Sequence, residues 1–295
     1  MSGKMLLVLN PRSGKGKIKN KLLEIIDIFV KHGWNVTVHT TQNSSDAFEI
    51  VHKKGTKFDR IVASGGDGTL NEVIRGLMSL DFEKRPALGY IPSGTVNDFA
   101  SNLHISKNMK KAAENIMTGN EFRCDIGSFN HKNFIYVAAF GAFTNVSYET
   151  PQQNKNILGN AAYILEGMKQ LSSIKSYKMR VEFGDNAIEG DFALGMVANS
   201  NYIAGMKTKA LKAQLNDGLF EVVLIKRPRT FFELNDIVSH LAMQDFSTDL
   251  FYVFRAEYVK FISQEDVQWT LDGEFGGAVS CAEISVEKEA VTLII

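Results

Sequence analysis

The stretch GGDGTLNE (65–72) surrounds one carboxylate, Asp67, with glycines where an apolar run ends and an amphipathic one begins. Glycine lets several backbone N–H groups approach a phosphate closely, and the start of a following helix adds a favourable dipole and further donors. An aspartate inside such a loop would repel the phosphate unless Mg2+ lies between them or the carboxylate faces an attacking hydroxyl. Either role is phosphoryl-transfer chemistry. Thr69 and Glu72 also spell T-x-x-E, a helix capping box, which accounts for that pair but not for the glycines.

A second acidic pair, Asp272 and Glu274, lies in TLDGEFGG (270–277). Two apart on a strand, both side chains would share a face and point into one cleft. Asp-Gly is equally a hairpin turn signal. Asn216-Asp217-Gly218, in QLNDGLFEV (214–222), is a turn by its residue types, with metal binding as the alternative. The common nucleotide fingerprints are absent: SGKGK (13–17) lacks the P-loop spacing, and GGDGTLNE lacks G-x-G-x-x-G with its distant acidic partner. The six histidines form no metal-binding pattern, and no nucleophile elbow or Cys/His pairing supports a hydrolase.

The elements that must position these residues alternate in the first part of the chain. Apolar strands at 5–10, 35–40, 60–64 and 87–92 are interleaved with helical stretches around 17–32, 45–54, 69–79, 96–102 and 108–117. Such alternation predicts a parallel sheet covered on both faces, with ligands at the carboxyl ends of the strands. The loops at those ends, NPRSGKGK, TTQNSSD, SGGDGT and PSGTVND, are all small and polar. Turn propensity explains any one of them, whereas four gathered at one sheet edge point to a binding site.

From about residue 127 the pattern becomes mainly strands, at 178–183, 188–200, 219–226, 251–262, 267–271 and 280–286, with helical stretches around 157–172 and 230–243. The aromatic run FYVF (251–254) reads as core strand. The expectation is an α/β nucleotide-binding domain over 1–126 and a mainly antiparallel β-sandwich over 127–287. A last strand within 288–295 could join either, the N-terminal sheet being a natural destination.

At 295 residues the chain exceeds the usual size of one domain, which favours two units with a shared cleft. Lys+Arg and Asp+Glu are equal at 33 each, which argues against a nucleic-acid binder working through a general positive field. Two cysteines, Cys124 and Cys281, without CxxC spacing, speak against a disulfide scaffold or structural zinc. The run MLLVL (5–9) is too short for a secretion signal and far short of the roughly 20 residues that span a bilayer. The composition reads as a soluble, reduced, cytoplasmic protein.

Six pieces occur together and in order: NPRSGKGK (10–17), GGDGTLNEVIRGL (65–77), PSGTVNDFA (92–100), SYETPQQNKNILGNAAY (147–163), LNDGLF (215–220) and LDGE (271–274). In this set the chain resembles the bacterial diacylglycerol kinase family of soluble lipid kinases, related to sphingosine and ceramide kinases. GGDGT alone is shared with NAD kinases and phosphofructokinase-like enzymes. The resemblance implies an N-terminal α/β domain of that NAD kinase and phosphofructokinase-like kind, a C-terminal β-sandwich, and ATP bound between them. It implies transfer of the γ-phosphoryl group to the hydroxyl of diacylglycerol or a related lipid, giving a lipid phosphate. Carried onto this chain, the nucleotide site would comprise Asn10, Pro11, Arg12, Ser13, Gly14, Thr41, Gly66, Asp67, Gly68, Thr69, Leu70, Asn71, Glu72 and Thr95. Glu274 would accept the hydroxyl proton, with Asp67 and Asp272 in the same acidic network.

The resemblance also implies catalytic Mg2+ and a structural Mg2+ held by the Asp217 carboxylate and the backbone carbonyls of Gln214 and Leu219. The preceding AGMKTKALKAQ (204–214) departs from the family's Gly-Gly run and Pro-Asp-Ala step. Because the acceptor lives in a bilayer, reversible peripheral contact with the inner face of the membrane follows, and the similarity suggests a homodimer. Two other readings compete. GGDGT fits an NAD kinase, and the fold without the chemistry would make a nucleotide-binding regulator. NPRSG, GTVNDFA and YETPQ speak for the lipid kinase, and intact Asp67, Asp272 and Glu274 speak for catalysis.

Overall fold

The computed structural model describes residues 3–141, 174–199, 202–203, 206–207, 214–243 and 245–295. The chain divides into two units, Met1–Cys124 with Glu289–Ile295, and Asp125–Lys288. The expected helix around 157–172, the segment 147–163 and most of 204–214 lie outside the described residues.

In the first unit, β1 (Lys4–Leu9), β2 (Asn35–Thr40), β3 (Arg60–Gly65) and β4 (Ala87–Pro92) pair in parallel in the order β4-β3-β1-β2. Met5 to Leu9 are all buried, the unbroken apolar run of a strand covered on both faces. Around the sheet stand α1 (Leu22–Lys31), α2 (Asp46–Lys54), α3 (Asp67–Met78), the short α4 (Asp98–Asn102) and α5 (Met109–Thr118). Ile25 and Phe29, one turn apart on α1, join Met5, Leu7 and Leu9 in a core closed by Ala112, Ala113 and Ile116 of α5. Full burial of a side chain such as Phe29 is worth about 1.5–3 kcal/mol.

The expected helix at 17–32 begins later than its pattern implies. Gly14, Lys15 and Gly16 have φ of 54°, 64° and 70°, so Ser13–Asn20 is an irregular turn and regular helix starts at Leu22. A run of left-handed residues cannot continue a right-handed helix.

The second unit is antiparallel. After β5 (Glu121–Phe129) come β6 (Lys132–Phe134), β7 (Val137–Gly141), β8 (Tyr177–Phe183), β9 (Asn186–Ala198) and the small pair β10 (Tyr202–Ile203) and β11 (Met206–Lys207). There follow β12 (Phe220–Lys226), α6 (Phe231–Met243), β13 (Phe251–Ala256), β14 (Tyr258–Leu271) and β15 (Glu274–Ile294). β12 pairs with β9 and β13, β9 with β7 and β8, and β14 with β7, β8 and β15. Trp269 sits at the centre of the core, its ring 4.8 Å from that of Phe140, 5.0 Å from Phe261 and 5.1 Å from Phe129. Such ring pairs add about 0.5–1.5 kcal/mol each beyond burial.

Three strand assignments change, the first being that the separate strand expected at 267–271 is the end of β14. The single strand expected at 251–262 breaks at Glu257, where the chain leaves β12 as partner and takes up β8 and β15. The strand expected at 280–286 is the middle of β15, whose end pairs Leu293 and Ile294 in parallel with Leu88 and Gly89 of β4. Strands β5 to β7 carry no clean period-two pattern and were not expected.

Candidate functional site

β1, β3 and β4 finish at one sheet edge, with Leu9 opposite Ser64 and Gly65 opposite Pro92. The three loops that follow interlock. Asn10 donates from its backbone to Ser64 O (2.9 Å) and from Nδ2 to Thr69 Oγ1 (3.2 Å), while its Oδ1 accepts from Arg12 N (3.0 Å). Ser13 N donates to Asn10 O (3.2 Å), closing the turn through Pro11. Thr41, just after β2, donates to Leu9 O (2.9 Å). A Cβ on Gly14 would lie 2.0 Å from Ser93 O, and one on Gly94 would lie 2.4 Å from the Cα of Gly66, so the loops touch backbone to backbone.

The Asp67 turn differs from its expected form. α3 starts at Asp67 with Gly66 as N-cap and no side chain capping it, so the T-x-x-E capping box does not form. Thr69 lies within the first turn and accepts from Asn10 instead. Glu72 reaches the neighbouring helix, taking Ser45 N (2.9 Å) and Ala47 N (3.1 Å) at the start of α2. It caps a helix, but not its own. Leu70 is fully buried, Asn71 is half-buried, and Thr95 is exposed in the loop after β4.

The glycines now separate by cause. A Cβ on Gly65 would lie 2.4 Å from that of Thr69, so packing requires that glycine. Gly68 is exposed in the first turn of α3, and a Cβ there meets nothing within 4 Å. The protein leaves open space at the positive end of a helix dipole.

Asp67 Oδ1 accepts from Phe99 N (3.3 Å) at the start of α4. Asn97, in the left-handed region (φ 57°) and 4% exposed, accepts at Oδ1 from Gly94 N (3.0 Å) and Tyr90 Oη (3.2 Å) and donates from Nδ2 to Gly94 O (2.9 Å). Tyr90 Oη also lies 3.2 Å from Gly65 O. Burial above all, then the Asp67 and Asp98 carboxylates, holds the Tyr90 phenol protonated well above its usual range. Tyr90 and Asn97 were missed as site residues. The signal for Asn97 was its place in PSGTVND, three residues after a glycine; the tyrosine inside an apolar strand gave none.

In the second unit, Asp272 and Gly273 are the two central residues of the β14–β15 hairpin, with φ of 51° and 84° and Leu271 paired to Glu274. Positive φ at both positions belongs to a type I′ turn, so the hairpin reading holds and the shared strand face does not. The Asp272 carboxylate accepts from Ile135 N (2.7 Å), Tyr136 N (2.8 Å) and Val137 N (3.1 Å), pinning the chain between β6 and β7. Glu274 is exposed.

Profiles of known families match both parts of the chain: "Diacylglycerol kinase catalytic domain" over residues 4–129, and "YegS C-terminal NAD kinase beta sandwich-like domain" over 138–295. A diacylglycerol kinase of Staphylococcus epidermidis is 33% identical over 284 residues, 96% of this chain and 89% of the relative. One from Staphylococcus aureus is similar to the same extent. The chain belongs to the diacylglycerol kinase family. It is an enzyme of the diacylglycerol kinase type, with a C-terminal antiparallel β-sandwich domain. In fold it is similar to a solved diacylglycerol kinase of Bacillus anthracis, with a TM-score of 0.78 at 22% identity over 99% of this chain and 96% of that one. Among the described residues no helix is long and apolar enough to cross a membrane.

The one side chain in the implied structural Mg2+ site, the Asp217 carboxylate, is already engaged in this kinase. Asp217 Oδ2 is bound by Arg255 Nη2, and Asp217 Oδ1 accepts from Leu219 N (3.1 Å). Gln214 is exposed and Leu219 half-buried at the two ends of this turn. Residues outside the motif matter more here. Arg255 Nε also donates to Glu221 Oε1 (3.1 Å), and buried Asp125 accepts Gly218 N at Oδ2 (2.7 Å). Glu221 Oε2 is buried without a partner. Burial foremost pushes the Glu221 carboxyl up to about 7, the Asp217 charge adding to the effect and Arg255 opposing it.

Proposed function

We propose that this kinase transfers the γ-phosphoryl group of ATP to the hydroxyl of diacylglycerol or a closely related lipid, giving phosphatidic acid in the first case. The observation that carries the reading is the start of α3, where exposed Gly68 has no neighbour within 4 Å of a built Cβ and the interlocked loops after β1 and β4 close on Thr69 and Gly66. Triphosphate oxygens need close, unobstructed N–H donors, and a helix start with glycine at 66 and 68 supplies them. The N-terminal unit then acts in the manner of NAD kinases and phosphofructokinase-like enzymes, with Asn10 to Gly14, Thr41, Gly66 to Glu72 and Thr95 around the nucleotide. Leu70 would contribute through its backbone, and Glu72 by fixing the turn of α2.

Mg2+ arriving with ATP is commonly held by one or two carboxylates plus phosphate oxygens, and Asp67 is the carboxylate this turn offers. Held there, it would supply neutralisation of the charge that spreads over the transferred group. Of the carboxylates in LDGE, Asp272 is committed to backbone donors, so Glu274 is assigned as proton acceptor. The lipid oxygen bonds to the γ-phosphorus, the bond from that phosphorus to the bridging β–γ oxygen breaks, ADP departs, and the hydroxyl proton passes to Glu274. Peripheral contact with the inner membrane face and a homodimer belong to the same reading.

A radiolabelled ATP assay against diacylglycerol, undecaprenol, sphingosine, ceramide and NAD tests it. Label in a lipid product, at a rate nearly abolished by Asp67→Asn with the fold intact, is expected. Label in NAD alone, or an Asp67→Asn rate like that of the unaltered chain, would overturn it.

A further inference from the structure

The turn over Leu215–Leu219 is held by polar and charged side chains. Arg255 of β13 and Glu221 of β12 are direct cross-strand partners, so strand register brings the guanidinium to Glu221. From there it spans Glu221 Oε1 and Asp217 Oδ2. Opposite, Asp125, 1% exposed, donates from its backbone to Leu215 O (2.6 Å) and takes Gly218 N on its carboxylate (2.7 Å). A second cation closes over the turn. A Cβ on Gly218 would lie 2.7 Å from Lys288 Cε and 3.2 Å from its Nζ, which pairs with Glu257 at 2.7 Å.

We propose that Arg255 takes the part of a divalent cation at Asp217, so that this turn needs no metal. The guanidinium is permanently charged, and its rigid fork suits two carboxylate oxygens. Mg2+ would have to shed bound water, displace that fork and sit beside two side-chain cations. Attraction to Asp217 does not offset those costs, because displacing the fork would also take from Glu221 its cation. The inference concerns the turn and stands apart from the choice of lipid acceptor. It implies that the enzyme's response to Mg2+ is that of its nucleotide alone.

The test is thermal unfolding of the full chain without nucleotide, in MgCl2 and in excess EDTA, for the unaltered protein and for Asp67→Asn, Asp217→Asn and Arg255→Met. The expected result is one Tm for the unaltered protein in both conditions, and for Arg255→Met a lower Tm that MgCl2 partly restores. A saturable rise in the unaltered protein that survives Asp67→Asn and disappears in Asp217→Asn would overturn the proposal. A rise lost in Asp67→Asn belongs to the α3 turn and leaves it standing. An Arg255→Met protein with unchanged Tm also overturns it. Should that variant not fold, Arg255→Lys, which keeps the charge without the fork, must show a lowered Tm.

Discussion

Three Asp-Gly pairs look alike in the sequence, at Asp67, Asp217 and Asp272, yet the two units use them differently. In the N-terminal unit the pair begins a helix: Asp67 accepts from Phe99 N, and a Cβ on Gly68, as on Gly273, would meet nothing within 4 Å. In the C-terminal unit both pairs form turns whose carboxylates are taken up by the protein, Asp217 by Arg255 and Leu219 N, and Asp272 by the N–H groups of 135–137. An acidic residue next to glycine is thus two devices. One opens a helix, and the other holds a turn or hairpin.

The largest effect expected concerns Glu274, the exposed carboxylate of LDGE. Glu274→Gln should lower kcat by roughly 10²–10⁴-fold, the usual worth of a general base. Its Tm should stay unchanged, because the side chain is exposed. Steady-state kinetics and a melting curve on one preparation check both halves. A large fall in Tm with kcat preserved would make Glu274 another structural carboxylate.

Next comes the buried acid beside Asp217. Glu221 titrates near 7 in the folded chain, above the usual 4.5, with Arg255 and Asp217 as the charged groups facing it. The folded state therefore holds a proton that the unfolded chain releases between those values, so this contribution is full at low pH and is lost as pH rises through 7. At 1.36 kcal/mol for each pKa unit, the loss across that window is about 3 kcal/mol. Urea titrations of the unaltered protein and Glu221→Gln at pH 5 and pH 8 should differ in slope with pH. Identical pH profiles would remove Glu221 from the account.

Asp272→Asn comes third and tests the strut directly. The amide keeps one acceptor and turns its NH2 toward backbone donors, leaving at least one N–H of 135–137 unsatisfied, at about 1–3 kcal/mol. Tm should fall here and not in Glu274→Gln. The reverse order would dissolve the distinction between a strut and a base in LDGE.

These cases also show what the sequence could carry. Strand and helix alternation in the first unit follows local periodicity, and it placed the loops after β1, β3 and β4 at one sheet edge. Periodicity does not report partners. Arg255 lies in the apolar run FYVFRA, and only the β12–β13 register shows that it meets Glu221. Glu72 satisfied a local capping rule, yet the nearby start of α2 offered its N–H groups instead. Strands β5 to β7 stayed hidden because short buried segments such as VAAFG (137–141) lack the alternation of a half-exposed strand. The partners of Asp272 lie more than a hundred residues away, beyond any local rule.

The smallest effect is the one that best separates the two devices, because its signs oppose. Gly68 lies in the first turn of α3, has no packing neighbour within 4 Å of a built Cβ, and is absent from the positive-φ residues. Alanine loses less backbone entropy there, so Gly68→Ala should stabilise the nucleotide-free protein by up to about 0.5–1 kcal/mol. The same methyl would occupy space that the nucleotide reading gives to phosphate, so KM for ATP should rise. Melting curves and ATP titrations on one preparation read both quantities. Higher Tm with unchanged KM would mean that the opening over Gly68 is unused, and lower Tm would mean that the glycine serves the fold. Only gain in stability together with loss of nucleotide affinity fits a helix start kept bare for its ligand.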